Sequence, residues 1–364
     1  MQIVIFGLTA SPSSGHAHAT FWHGLWRSLA AQGHRVVFFE RVAPVRDTQR
    51  DLAQMPAGEL VLYEQWPDVV QRARQLLRST DVALVTSLCP DGIDATAEVL
   101  DGGASALKVF YDMDPQVTLD KLGAGEDIPY IGPTALREFD LVLSRAGGLA
   151  VEALRAFLGA REVRTLYGHV DAQEHHRTAP DHRYRCALSY FDDYGADRHA
   201  GIAGLLVEPA RQLPQHAFLV GGRHYPPDLA ASGNLRFVAP IPRAERPAAV
   251  SSSRLTLSLT SRAMAACGHC PSTRLFEAIA CGTPVLSDWW PGLDGLFMPG
   301  RDILVARTTH EVMDALAMDD EELGRIAENG RERVLAQHTP AHRAQELVQM
   351  LEEMRPTERQ ALAA

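Results

Sequence analysis

Long apolar runs are missing. No stretch of the 364 residues approaches the roughly 20 apolar positions of a bilayer-spanning helix, so no membrane span is expected. An excess of basic charge is missing too. Lys and Arg number 35 against 45 Asp and Glu, a formal charge of −10. That balance argues against nucleic acid or an anionic membrane as the main partner, while leaving room for a local basic cleft. Cysteine is scarce, and five thiols, an odd number, supply no disulfide framework and fit a reducing cytoplasm. The opening MQIVIFGLTA has no basic leader before its apolar run and no small-residue cleavage site, and reads as a first strand. The loop after it lacks the Gly-x-Gly-x-x-Gly spacing, so a nicotinamide dinucleotide fingerprint is absent. No internal repeat is evident.

What is present is a soluble globular composition, 46% hydrophobic and 22% charged, in a chain long enough for two domains. QIVIFG (2–7), RVVFFE (35–40), DVALVTS (81–87), ALKVFYD (106–112), FDLVLS (139–144) and EVRTLY (162–167) read as buried strands. Amphipathic segments lie between them. Over 16–32, Trp22, Leu25, Trp26 and Leu29 recur at helical spacing, and Gly33 can supply a left-handed stop. A polar passage, GHVDAQEHHRTAPDHRYR (168–185), is the best linker candidate. The alternation resumes with CALSYF (186–191), HAFLVGG (216–222), NLRFVA (234–239), RLTLSLT (254–260), TPVLSD (283–288) and DILVAR (302–307), and a charged helical tail follows. The expected class is α/β, with two doubly wound domains, 1–170 and 171–340, facing across a cleft, and a tail over 341–364. Ligands then belong beyond the carboxyl ends of the strands, between the halves.

The stretch AACGHCPSTRLFEAIACGTPVLSD (265–288) carries the most chemistry. Ser272 or Thr273 can cap a helix running to about Cys281, with Leu275, Phe276, Ile279 and Ala280 inward. Gly282 ends it and Pro284 prevents its continuation. A helix start at a strand's carboxyl edge favours an anion, most plausibly phosphate. Arg274 lies in the first turn, where a cation opposes the helix dipole unless an anion is shared. Glu277 follows neither cap residue by the three positions a capping box requires. Its side chain leans toward the helix start, where a carboxylate suits the vicinal hydroxyls of a ribose. Cys267 and Cys270 have dithiol spacing, but no thioredoxin-like pattern surrounds them and no further ligands at zinc spacing are visible. They read as structural loop thiols.

Two segments of the first half bear proton-transferring groups. In TASPSSGHAHATF (9–21), Gly15 permits a tight turn and His16 has the pKa range of a general base. In FYDMDPQVTL (110–119), Asp114 is assigned to capping a helix that begins at Pro115, which leaves Asp112 as the candidate base. Trp290 and Asp294, after the strand that follows the Glu277 helix, are either sugar contacts or, for the paired Trp residues, packing anchors.

The Glu277 stretch resembles the nucleotide-sugar segment of two-domain, GT-B glycosyltransferases, where a Glu followed by Ala-x-Ala-x-Gly-x-Pro-Val marks the nucleotide site. Over nearly the whole chain the sequence resembles the CgeB-like group of that class. The motifs that carry this are SGHAHATFWHGLWRSLAAQGHRVVFFE, VTSLCPDGIDA, VFYDMDPQVTL, LSYFDDYGADR, SSRLTLSLT and CPSTRLFEAIACGTPVLSDWWPGLDGLFMPG. The resemblance implies two Rossmann-like domains, the first binding acceptor and the second binding donor. It implies that Glu277 holds the ribose, that the amides of Ser272 and Thr273 receive the diphosphate with Arg274 nearby, and that Arg198 neutralises it. Backbone around Val238 to Pro240 meets the base, and the Gly15–His16 step faces the acceptor with Asp112 and Asp114. Two positions depart from the pattern. His269 stands where retaining families place a sugar-binding Glu, and Asp192 stands where a Gly is usual.

The expected activity is transfer of a sugar, hexosyl in type, from a UDP- or dTDP-sugar to a small-molecule or glycan acceptor. No cofactor is expected beyond this co-substrate, and no metal. A non-transferring enzyme of the same architecture, such as a sugar-nucleotide epimerase, is the alternative, and a non-enzymatic nucleotide-binding protein is a third.

Overall fold

The computed structural model describes residues 1–11, 17–42, 55, 57–102, 105–230 and 233–355. The chain divides into two units, residues 1–168 with the C-terminal segment from 340, and residues 169–339.

The first unit is built on a parallel seven-stranded sheet ordered β3-β2-β1-β4-β5-β6-β7. Its strands are β1 Gln2–Gly7, β2 Arg35–Arg41, β3 Gly58–Tyr63, β4 Val82–Thr86, β5 Leu107–Asp112, β6 Leu141–Ser144 and β7 Val163–Thr165. β1, β2 and β4 are almost continuous runs of buried β-branched and aromatic residues, as a sheet covered on both faces demands. β3 lies outside the strands expected from sequence. It is an edge strand with only Val61 and Tyr63 buried, so its apolar signal is thin.

The helix Ala17–Ala31 buries Trp22, Leu25, Trp26 and Leu29 against one face, and Gly33 at φ +81° turns the chain out of it. The helix Pro340–Met354 packs on Ala17–Ala31, and its Ala344, Leu347 and Leu351 join the same core as Trp22 and Trp26. An amphipathic helix needs an apolar partner, and this one finds it on the first unit.

The second unit carries a parallel six-stranded sheet ordered β10-β9-β8-β11-β12-β13. Its strands are β8 Cys186–Tyr190, β9 Phe218–Gly221, β10 Leu235–Val238, β11 Ser253–Ser258, β12 Val285–Ser287 and β13 Leu304–Val305. All six coincide with the runs read from sequence. Among the described residues, no helix is long and apolar enough to cross a membrane.

Candidate functional site

In the second sheet, strand order reverses between β8 and β11. One leads outward to β9 and β10, the other to β12 and β13. A crevice outside the carboxyl ends of strands at such a switch point is the favoured ligand position in open α/β sheets. A pocket opens there, and Tyr190, Asp192, Ser272, Arg274 and Glu277 lie on its polar wall.

Three of these come from the helix Thr273–Ala280. Ser272 is its N-cap, with extended backbone, and its Oγ accepts from the Arg274 amide at 3.3 Å. Leu275, Phe276 and Ile279 are buried, and Gly282 at φ +69° ends the helix, so the cap is held at the pocket rim. Glu277 takes no part in capping. Its Oε1 lies 3.7 Å from His175 Nε2 and its Oε2 lies 3.8 Å from Arg246 Nη1. Both separations exceed hydrogen-bond length, so the Arg246 guanidinium offsets part of the charge while the oxygens keep acceptor capacity toward the pocket.

Two buried donor atoms at this end of β8 lack partners among the described residues. Tyr190, the last residue of β8, is 2% exposed, and its hydroxyl has no hydrogen-bond partner among the described residues. The same holds for Arg198 Nε. Buried donors are almost always paired, so a pair left open next to arginines and a helix N-terminus is a place prepared for an anion. Burial pushes the Tyr190 phenol above its ordinary range, against the opposing charges of Arg198 and Arg274, so it stays a donor.

Asp192 explains itself here. Its Oδ2 accepts from Arg198 Nη1 and its Oδ1 faces Arg274 Nη1, so one carboxylate bridges both guanidinium groups. It points into the cationic cluster.

The other donor-side candidates sit outside the pocket wall. Thr273 is the first residue of the helix. Val238 ends β10, and its carbonyl accepts from Gly222 N at 3.2 Å; Pro240 is exposed. His269 adopts φ +45° after Gly268 at φ +63°, and its amide donates to Pro291 O at 2.6 Å. Its ring covers Gly292, where an added Cβ would stand 2.4 Å from it. Trp290 is buried and acts as a packing anchor, whereas Asp294 is exposed. Cys267 and Cys270 are buried thiols not joined in a disulfide, the first at the end of the helix Arg262–Cys267. Cys281 lines the pocket, and burial raises its thiol to about 12, with Glu277 adding to the effect.

The first sheet has its own reversal, between β1 and β4. Glu40 of β2 pins the chain leaving β1: it accepts from Thr9 Oγ1 at 2.9 Å and from the Ala10 and Ser11 amides at 2.6 and 2.7 Å. Gly15 and His16 lie outside the described residues. Asp112, at the end of β5, is fully buried; its Oδ1 accepts from Asp114 N at 3.2 Å. Burial raises its carboxyl to about 7, although the Thr118 and Ser87 hydroxyls oppose the shift. Asp114 occupies the cap position of the helix Pro115–Ala124 but makes no side-chain cap bond. Its Oδ2 instead meets His18 Nε2 at 2.5 Å. Burial opposes ionisation of Asp114, yet His18 and Arg145 hold its carboxyl below the ordinary range.

Sequence reasoning missed His175, Arg246, Tyr190 and the His18–Asp114 pair. His175 falls within the polar passage read as a linker, and Arg246 comes from the separate helix Arg246–Ser251. Only the sheet topology brings them to Glu277. Tyr190 carried a usable signal, being a polar-tipped residue at the carboxyl end of a central strand.

Residues 198–349 match the family described as glycosyl transferase-like. No curated protein matches the sequence. Among solved structures, sucrose-phosphate synthase from Thermosynechococcus elongatus is similar over 97% of this chain and 98% of its own, at TM-score 0.70 and 16% identity. HepE from Anabaena, in complex with UDP and glucose, is similar over 97% and 100%, at TM-score 0.65 and 14% identity. An α-glucosyltransferase in complex with UDP is similar over 97% and 100%, at TM-score 0.66 and 13% identity. The architecture is therefore GT-B, with two Rossmann-like units, and with a glycosyl transferase-like domain matched across most of its second unit the chain is a glycosyltransferase.

Proposed function

We propose that the second unit binds a uridine diphosphate sugar in the β8–β11 pocket and that the chain transfers its hexosyl group to a small-molecule or glycan acceptor held by the first unit. The ribose hydroxyls bond to Glu277. The diphosphate lies over the Ser272–Thr273 helix start, Arg198, Arg274 and the Tyr190 hydroxyl. As the glycosidic bond breaks, negative charge grows on the departing phosphate oxygen, and fixed donors and guanidinium groups stabilise it without reorganising. These groups supply the positive charge, so the reaction proceeds without an added divalent ion. His269 and Asp294 remain candidates for the sugar side, and Val238 to Pro240 for the base.

On the acceptor side, the leaving proton passes to an imidazole of the 9–21 segment. His16 is one candidate and Asp114-paired His18 the other, with Asp112 supporting the same strand end. The chain belongs on this reading to the CgeB-like group and works in the cytoplasm.

The observation that carries the proposal is the meeting in one pocket, at the switch point, of Glu277, with its unsatisfied acceptor capacity, and the unpartnered buried hydroxyl of Tyr190, with Arg198 bonded to the pocket-wall carboxylate of Asp192. The complexes of HepE and of the α-glucosyltransferase with UDP support the choice of base. Isothermal titration tests it. UDP binds the wild-type chain, and Glu277→Gln weakens binding about tenfold or more, as loss of a charge-assisted bidentate contact requires. Equal affinities in the two proteins would contradict the assignment.

A further inference from the structure

Asp192 sets a carboxylate among the groups assigned above to the diphosphate. Its backbone is anchored. The Asp192 carbonyl accepts from Tyr225 Oη at 2.7 Å, and a Cβ on Gly222 would stand 1.9 Å from that oxygen. The next residue, Asp193, is tied to Arg223 Nη2 at 2.7 Å. The carboxylate bridging Arg198 and Arg274 is therefore a built part of the pocket wall, with a side chain 19% exposed.

Two guanidinium groups and one carboxylate leave a single net positive charge facing the ligand. A sugar nucleotide and the nucleoside diphosphate it becomes differ in charge. When the glycosidic C–O bond breaks, its electron pair stays on the phosphate oxygen. The product then ends in a phosphate monoester whose second proton is lost near pH 6, so at neutral pH it carries about one more negative charge. Repulsion from a fixed carboxylate scales with ligand charge and falls more heavily on the product. Across about 6 Å at an effective dielectric near 20, reduced by screening, this discrimination is worth about tenfold in Kd.

We infer that Asp192 is a fixed counter-charge that biases the donor site toward the sugar nucleotide and against the nucleoside diphosphate product, promoting product release. The inference rests on the reading of this pocket as the donor site. It also accounts for an acidic residue where the resemblance leads one to expect glycine.

The test compares wild type and Asp192→Asn by isothermal titration with UDP, UDP-glucose and uridine at pH 7.5. In Asp192→Asn, UDP tightens about tenfold more than UDP-glucose, and uridine, which has no phosphate, is unchanged. A ratio of UDP to UDP-glucose affinity equal to that of wild type, or weaker UDP binding, overturns the inference and leaves Asp192 as a residue that only orients the arginines. If Asp192→Asn loses uridine as well, the same ratio is read in Asp192→Gly, which keeps the anchored backbone. Wild type binding neither UDP nor UDP-glucose would instead remove the donor-site reading itself, and this inference with it.

Discussion

Asp112 offers a measurement whose size follows from its burial. The carboxyl is fully buried at the end of β5 and raised from its ordinary 3.8 to about 7, chiefly by burial. An acid with a folded-state pKa above its unfolded value binds more protons when folded throughout the interval between the two. Stability therefore falls as pH rises from about 4 to about 7 and levels off above that. A displacement of this size corresponds to about 4 kcal/mol in all, of which about 3 kcal/mol falls between pH 5 and pH 8. Asp112→Asn removes the titration. The new amide has a cost of its own where Asp112 Oδ2 lacks a hydrogen-bond partner among the described residues, but that cost is the same at both pH values and cancels. Thermal unfolding of both proteins at pH 5 and pH 8 reads the result. The melting-temperature difference, variant minus wild type, moves in the variant's favour by about 4 °C between the two pH values, as the unfolding entropy of a chain of this length requires. A difference independent of pH would show that Asp112 ionises at its ordinary pKa and would refute the burial argument.

Two further substitutions probe the second unit. Tyr190→Phe removes one of the unpartnered donors, so UDP binding weakens by about threefold to tenfold while uridine binding holds, both read by isothermal titration. Cys267→Ser and Cys270→Ser leave sugar transfer within about twofold of wild type in a steady-state assay, because buried thiols outside the pocket wall contribute to stability rather than chemistry. Abolished transfer with intact UDP binding would revive a dithiol role.

The legible parts of this chain are local. Every strand of the second sheet announced itself as a β-rich run, and the helix Thr273–Ala280 was bounded by its cap and by Gly282. Glu277 stood out because its interval from the cap residues fits no capping box, and the structure places it on the pocket wall. What escaped was whatever depends on assembly. β3 was missed because an edge strand needs few apolar residues. The packing of the helix Pro340–Met354 is not legible locally, because its partner, the helix Ala17–Ala31, lies some three hundred positions earlier in the chain. His175 and Arg246 reach Glu277 from separate elements. Asp114 was correctly placed at a helix start, yet its side chain bonds His18 rather than capping the helix. Asp192 read as a misplaced acid until its two arginines came into view.

The most direct test of the whole account is a crystal structure of the chain with UDP bound. The ribose hydroxyls should lie within hydrogen-bond distance of the Glu277 carboxylate, and the diphosphate should sit over Ser272 with Tyr190 Oη and Arg198 Nε now partnered. UDP bound elsewhere, with those two donors still open, would contradict it.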